Sequence, residues 1–193
     1  MMKTKNNIPA RHFRTRAAWR HWLEQKHSRQ KAIWVIVYSK DSKVPCINQQ
    51  EAVEEALCFG WIDSKSIKRD ERSRYQYFSP RKPKSNWSKV NRERVERMIQ
   101  EGRMAPAGQA LIDLAKKSGT WEALADVENG IVPDDLMRAF ARNKRAFKHF
   151  QGFAPSAQRI LLQWVHMAKR EETRKLRISK IVAMAAKNLK GYP

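Results

Sequence analysis

Seven consecutive residues, Ala32-Ile33-Trp34-Val35-Ile36-Val37-Tyr38, are apolar, β-branched or aromatic. Such side chains suit a pleated surface, so the run predicts a buried strand and sets the frame for the flanking sequence. Upstream, Trp19, Trp22 and Leu23 fall at i, i+3 and i+4, and Thr15 can cap them. That spacing predicts an amphipathic helix over 15–27. Downstream, Asp41-Ser42-Lys43 makes a turn and Pro45 restricts the residue before it. Asn48 can cap a helix running through Leu57, with Val53, Ala56 and Leu57 facing inward and Gly60 as its stop.

The period then changes to two. Residues 61–67 alternate, 75–79 read as a further strand, and the polar turn at 70–73 joins them as a hairpin. Pro80 and Pro83 end the hairpin and force an extended basic loop, Pro80-Arg81-Lys82-Pro83-Lys84-Ser85. From Ser88 the pattern is helical, with Val95, Met98 and Ile99 on one face and Gly102 as the stop. Pro106 opens another helix with Leu111, Leu114 and Ala115 repeating, closed by Gly119. The stretch 120–132 reads as a loop and a domain boundary. Beyond it a helix over 134–142 is expected to continue through 144–150, followed by a helix over 156–168 with Ile160, Leu161, Trp164 and Val165 inward. A last helix starts at Glu171-Glu172, is lined by Ile178, Ile181, Val182, Ala185 and Leu189, and stops at Gly191.

The predicted architecture is α+β: residues 10–120 form a small antiparallel sheet packed with helices, and residues 132–190 form an all-helical region. The short helices of that region are expected to lean on the N-terminal part.

Forty Lys and Arg face 19 Asp and Glu, a net charge of +21 over 193 residues. A hydrophobic fraction of 41% with seven Trp excludes wholesale disorder. No apolar run approaches the ~18–20 residues of a membrane span. The first residues lack the apolar core of a secretory signal, and two Cys cannot staple such a chain, so a cytoplasmic location is expected. The charge is blocked: +8, +8 and +12 over 1–31, 64–103 and 136–193, against −3 and −4 over 32–63 and 104–135. Basic blocks of this kind concentrate polyanions, including nucleic acid and phosphorylated ligands.

The five His and two Cys lack metal-ligand spacing, and no glycine-rich nucleotide loop or nucleophile elbow occurs, so no metal, cofactor or enzymatic activity is expected. Two stretches carry candidate chemistry. In Ala56–Ser64, Trp61 and Asp63 alternate onto one strand face, and an Arg or Lys from 65–84 could pair with Asp63. In Ser79–Lys89, Arg81, Lys82, Lys84 and Lys89 interleave with Trp87, while Ser88 can cap the next helix, whose N-terminal amides favour anions. The candidate ligand-binding residues are Trp61, Asp63, Tyr75, Arg81, Lys84, Trp87 and Ser88. On the last helix Arg170, Arg174 and Arg177 share a face, where a solvated surface or a phosphate contact is expected.

Several motifs resemble the YdeI/OmpD-associated family. They are Trp19–Glu24, Glu51-Ala-Val-Glu-Glu-Ala-Leu-Cys-Phe-Gly-Trp-Ile-Asp-Ser64, Pro80–Asn91, Glu101–Gly108 and the tail Ser156–Arg177. The resemblance spans about 13–188. It implies a fold similar to small α+β domains of the YdhG and YjbR/CyaY-like type, followed by a bacteriocin-protection region. It also implies a part in protection from bacteriocins or antimicrobial peptides and an association with an outer-membrane porin, with no catalytic residues to carry over. Together the residues and the resemblance point to a non-enzymatic protection factor binding an anionic partner. The alternatives are a nucleic-acid-binding protein using basic and aromatic surface, and an enzyme pairing Asp63 with a nearby Arg or Lys.

Overall fold

A computed structural model describes residues 3–5 and 7–190. It has two units, Met1–Trp121 and Glu122–Pro193, each closed around its own hydrophobic core. In the first unit β1 (Lys3–Lys5), β2 (Ile8–His12), β3 (Ile33–Tyr38), β4 (Trp61–Asp70) and β5 (Ser73–Pro80) form a five-stranded sheet in the order β1-β2-β3-β5-β4. The apolar run is β3, antiparallel to β5 from Ile33↔Phe78 to Tyr38↔Ser73. Strands β4 and β5 make the expected hairpin, extended to Asp70 and Ser73, with register irregularities between Asp63 and Ser66 and between Lys68 and Asp70. Strand β2 lies parallel to β3, with Ala10↔Trp34 in register, so the sheet is mixed and not purely antiparallel. Parallel neighbours need a crossover, and α1 (Arg16–Lys26) supplies it.

Both faces of β3 are apolar, one packed under the helices and the other among aromatic neighbours on the sheet itself. Ile33, Val35 and Val37 join Phe78 in the core with Trp19, Trp22 and Leu23 of α1. Trp34 and Ile36 face the other way, in a smaller cluster with Ala10 and the half-buried Tyr75 and Tyr77. Thr15 caps α1 by accepting from the Ala18 amide at 3.1 Å. Helix α2 (Gln49–Cys58) begins with a capping box in which Asn48 and Glu51 each accept from the other's amide. Its residues from Ala52 to Cys58 are all buried, including Glu54 and Glu55. Helices α3 (Lys89–Gln100) and α4 (Pro106–Ser118) add Val95, Met98, Ile112 and Ala115 to the same core.

Two glycines set how closely α4 meets α2. Gly60 has φ +72°, and a Cβ there would lie 2.8 Å from Leu111 Cδ1. A Cβ on Gly108 would lie 2.3 Å from the Cys58 carbonyl oxygen. The phase of several helices differs by a residue from the sequence expectation. Gly108 and Ile112 are buried where Leu111 and Leu114 were expected, and Ile99 is exposed.

The second unit holds α5 (Ala125–Glu128), α6 (Asp134–Ala141), α7 (Lys144–Gln151), α8 (Pro155–His166) and α9 (Glu171–Ala186). The expected 120–132 loop thus contains a helical turn. Helices α6 and α7 are separate, because Asn143 caps the second by accepting from the Ala146 amide at 3.0 Å. These helices build a core of their own around Leu136, Phe140, Phe150, Leu161 and Ile181. On α8 the inward residues are Leu161, Leu162 and Val165. Ile160, expected inward, is 45% exposed. Leu189, expected to line α9, is exposed beyond its end. Gly191, expected as the stop of α9, lies outside the described residues. Among the described residues no helix is long and apolar enough to cross a membrane, and no group of three or more His, Cys, Asp and Glu could hold a metal ion.

Candidate functional site

Strand β5 ends at Pro80, paired with Trp61 across the hairpin. The next residue, Arg81, donates its amide to the Gly60 carbonyl at 2.9 Å, which ties the basic loop to the α2–β4 junction. Its side chain turns inward, leaving Arg81 only 7% exposed. The guanidinium lies 3.9 Å from the centroid of the Trp87 ring and donates to the Asn86 carbonyl. Its Nε is buried with no hydrogen-bond acceptor. Among the described residues no carboxylate pairs with it. Burial alone acts on it, and pushes its pKa down to about 10.

The aromatic floor continues from there. Trp87 is buried, and its ring lies 5.1 Å from that of Trp121. The Lys116 ammonium sits 5.3 Å from the Trp121 ring. Each of these two neighbouring indoles thus has a cation near its ring, a favourable use of the ring quadrupole. Lys82 and Lys84 project from the loop into solvent. The Ser85 amide and hydroxyl both donate to the Lys82 carbonyl, at 3.0 and 2.7 Å, which shapes the turn. Ser88 caps α3 with a long bond of 3.4 Å from the Asn91 amide, and the first turn of α3 holds no acidic residue. A buried cation, exposed lysines and a helix N-terminus without a carboxylate therefore converge on 81–89. This set of donors suits the oxygens of a phosphate or carboxylate.

Two buried acids elsewhere in the unit are already paired. Glu55, fully buried, accepts from Arg16 at 2.5 Å, from Arg20 at 2.8 Å and from Arg103. Glu54 accepts from Arg16 at 3.2 Å, from Arg97 and from Gln50. Burial pushes the Glu55 carboxyl up, but the Arg16, Arg103 and Arg20 guanidiniums outweigh it and hold it below the ordinary glutamate range. Cys58, beside this cluster, is driven up to about 11 by burial and by Glu55, so its thiol stays protonated at neutral pH. Sequence reasoning missed this cluster. The legible signal was two adjacent glutamates inside the apolar run Ala52–Cys58.

The sequence-predicted site residues separate into groups. Arg81, Lys84, Trp87 and Ser88 belong to the loop just described. Trp61 is a core residue: its indole donates to the His27 carbonyl at 3.1 Å and its ring meets Trp22 edge-on. Asp63 is half-buried and accepts from Gln76 Nε2 at 2.8 Å, so a neutral amide takes the place expected for an Arg or Lys. Tyr75 lies on the opposite face of β5 from Phe78, with Arg69 5.9 Å from its ring. In the second unit Arg170 is exposed, while Arg174 and Arg177 are half-buried and bond groups of their own unit. Arg174 grips Asp135 through two bonds of 2.5 and 2.9 Å, and Arg177 donates to the Trp164 carbonyl.

Two family models match the chain. One, described as a domain of unknown function (DUF8412), matches residues 11–111, more than half of the sequence. The other, described as Bacteriocin-protection, YdeI or OmpD-Associated, matches residues 129–188. Neither a curated protein nor a solved structure matches the chain. The N-terminal motifs, including the Arg81–Lys89 loop, thus fall under the first model, and the helical tail falls under the second. The chain belongs to the family of that N-terminal domain of unknown function, and its residues 129–188 match the YdeI/OmpD-associated model.

Proposed function

We propose that this chain is a non-enzymatic protection factor whose N-terminal unit binds an anionic partner at the Arg81–Lys89 loop. The observation that carries the reading is Arg81: a buried guanidinium against Trp87, with an unsatisfied Nε and, among the described residues, no carboxylate to balance it. An unpaired buried charge is costly, and an anion arriving at the loop would offset that cost. The net charge of +21 disfavours direct capture of a cationic peptide. Protection in this reading acts through an anionic component that such peptides would otherwise reach. The non-enzymatic part rests on Asp63, whose partner is Gln76 and not a basic residue that could share a proton.

The test is calorimetric titration of the protein with inorganic phosphate, beside Lys82→Ala/Lys84→Ala. Saturable binding, weakened several-fold in the variant, supports the reading; no binding, or equal binding by the variant, sinks it.

Nucleic acid is a second reading. It is favoured by the outer sheet face, where Tyr75 and Tyr77 flank Trp34 and Arg69 approaches the rings of Tyr38 and Tyr75. It requires affinity for single-stranded DNA that falls steeply with salt and drops on Tyr77→Ala.

A further inference from the structure

In the second unit α6 and α9 enclose an open groove of about 690 Å³. Its floor is made of Ile178 and Val182 with the small residues Ala139 and Ala183. Small side chains let another backbone come close, as helix–helix packing requires. From Glu171 to Ala183 the α9 residues lining it recur every three or four positions, a stripe of about 18 Å along the helix. That period and length match three turns of a helix laid alongside.

The rim is charged, and its charges do not balance. Glu171 is taken by Lys175 at 2.6 Å, and Asp135 is gripped by Arg174. Arg138 and Arg142 also line the groove and are exposed, and among the described residues neither has a salt-bridge partner. Arg138 lies on α6 and Arg142 is its C-cap, one turn further along and about 6 Å away on the helix axis. A ligand that fills this groove therefore has an apolar ridge for the floor and two carboxylates one turn apart for the rim.

We propose that this groove is a docking site for an acidic amphipathic helix of a partner protein. Apolar anchors at helical spacing seat in the floor between α6 and α9. Glutamates or aspartates at i and i+4 of the partner meet Arg138 and Arg142, and set its orientation. This site belongs to the helical unit and does not depend on the Arg81 loop.

The test uses the full chain and a stapled helix of about 14 residues, with Leu on one face and Glu at i and i+4 beside it. The acidic peptide is expected to bind, and Arg138→Glu/Arg142→Glu to weaken it by roughly tenfold or more. The same variant should gain affinity for a peptide carrying Lys at those two positions. Lys31→Glu/Lys40→Glu changes the net charge equally on the other unit and should leave the acidic peptide bound. Failure of the acidic peptide to bind, or equal loss in both variants, overturns the proposal. So does sedimentation with phosphatidylglycerol vesicles that requires Arg138 and Arg142 while the peptide does not bind, because the groove would then serve a lipid surface. Circular dichroism of the variants separates lost binding from lost folding.

Discussion

Arg81 lies with its guanidinium 3.9 Å from the centre of the Trp87 ring, and among the described residues no carboxylate shares that burial. The folded chain therefore holds this proton less tightly than the unfolded chain does. The destabilisation is present in full at neutral pH and lifts only as pH rises beyond about 10. An apolar residue of similar reach removes that cost and keeps most of the contact with the indole. Arg81→Met should leave the melting temperature unchanged or raise it, while abolishing phosphate binding. A marked drop in melting temperature would show that the cation is there for stability.

Glu55 makes the opposite case. Its three guanidinium partners hold its carboxyl below the ordinary value of 4.5 against the pull of burial. The unfolded chain thus takes up this proton first as pH falls. The stabilisation is complete above 4.5 and drains away as pH drops through the lower folded value. Thermal melts between pH 7 and pH 3 should show a steep loss below about 4.5, flattened in Glu55→Gln. At neutral pH that variant leaves Arg16, Arg20 and Arg103 without their shared partner, at a cost of about 3–5 kcal/mol.

Gly108 tests the α2–α4 contact. An added methyl would meet the Cys58 carbonyl oxygen at 2.3 Å and the Met104 sulfur at 2.6 Å, and the first of these is backbone. Gly108→Ala should therefore destabilise by about 1–3 kcal/mol or more despite the better helix propensity of alanine. Gly102→Ala, which meets nothing within 4 Å, isolates the effect of a positive φ alone.

Asp135 anchors α9 through Arg174. Both side chains are about a third exposed, so solvent weakens the pair and Asp135→Ala should cost only about 1 kcal/mol. Hydrogen exchange of the α9 amides should quicken by roughly fivefold, with the sheet of the first unit unaffected. Equal change in both units would contradict a local role.

The elements that announced themselves in sequence were those with a strong period or a cap. The continuous apolar run became β3, Asn48 and Thr15 began their helices, and Pro80 ended its strand. Strand β2 escaped because Ile8-Pro9-Ala10-Arg11-His12 has no alternation, and its pairing depends on the α1 crossover returning β3 to its side. Ile160, Leu114 and Ile99 read as inward because each sits beside a residue that is. A one-residue rotation decides such cases, and only packing fixes it. Charge was the least legible quantity. The sequence shows that 64–103 is basic, but not that Arg16, Arg20, Arg97 and Arg103 gather on two buried glutamates while Arg81 is left alone. Asp63 could be read as paired, but its partner Gln76 is set by the irregular register between β4 and β5.

The most direct test of the anion site is the Trp87 indole N–H resonance during titration with inorganic phosphate. The wild-type chain should show a saturable shift of that resonance, and folded Arg81→Met should show none. No shift in the wild type, or the same shift in both proteins, would contradict an anion site built on Arg81.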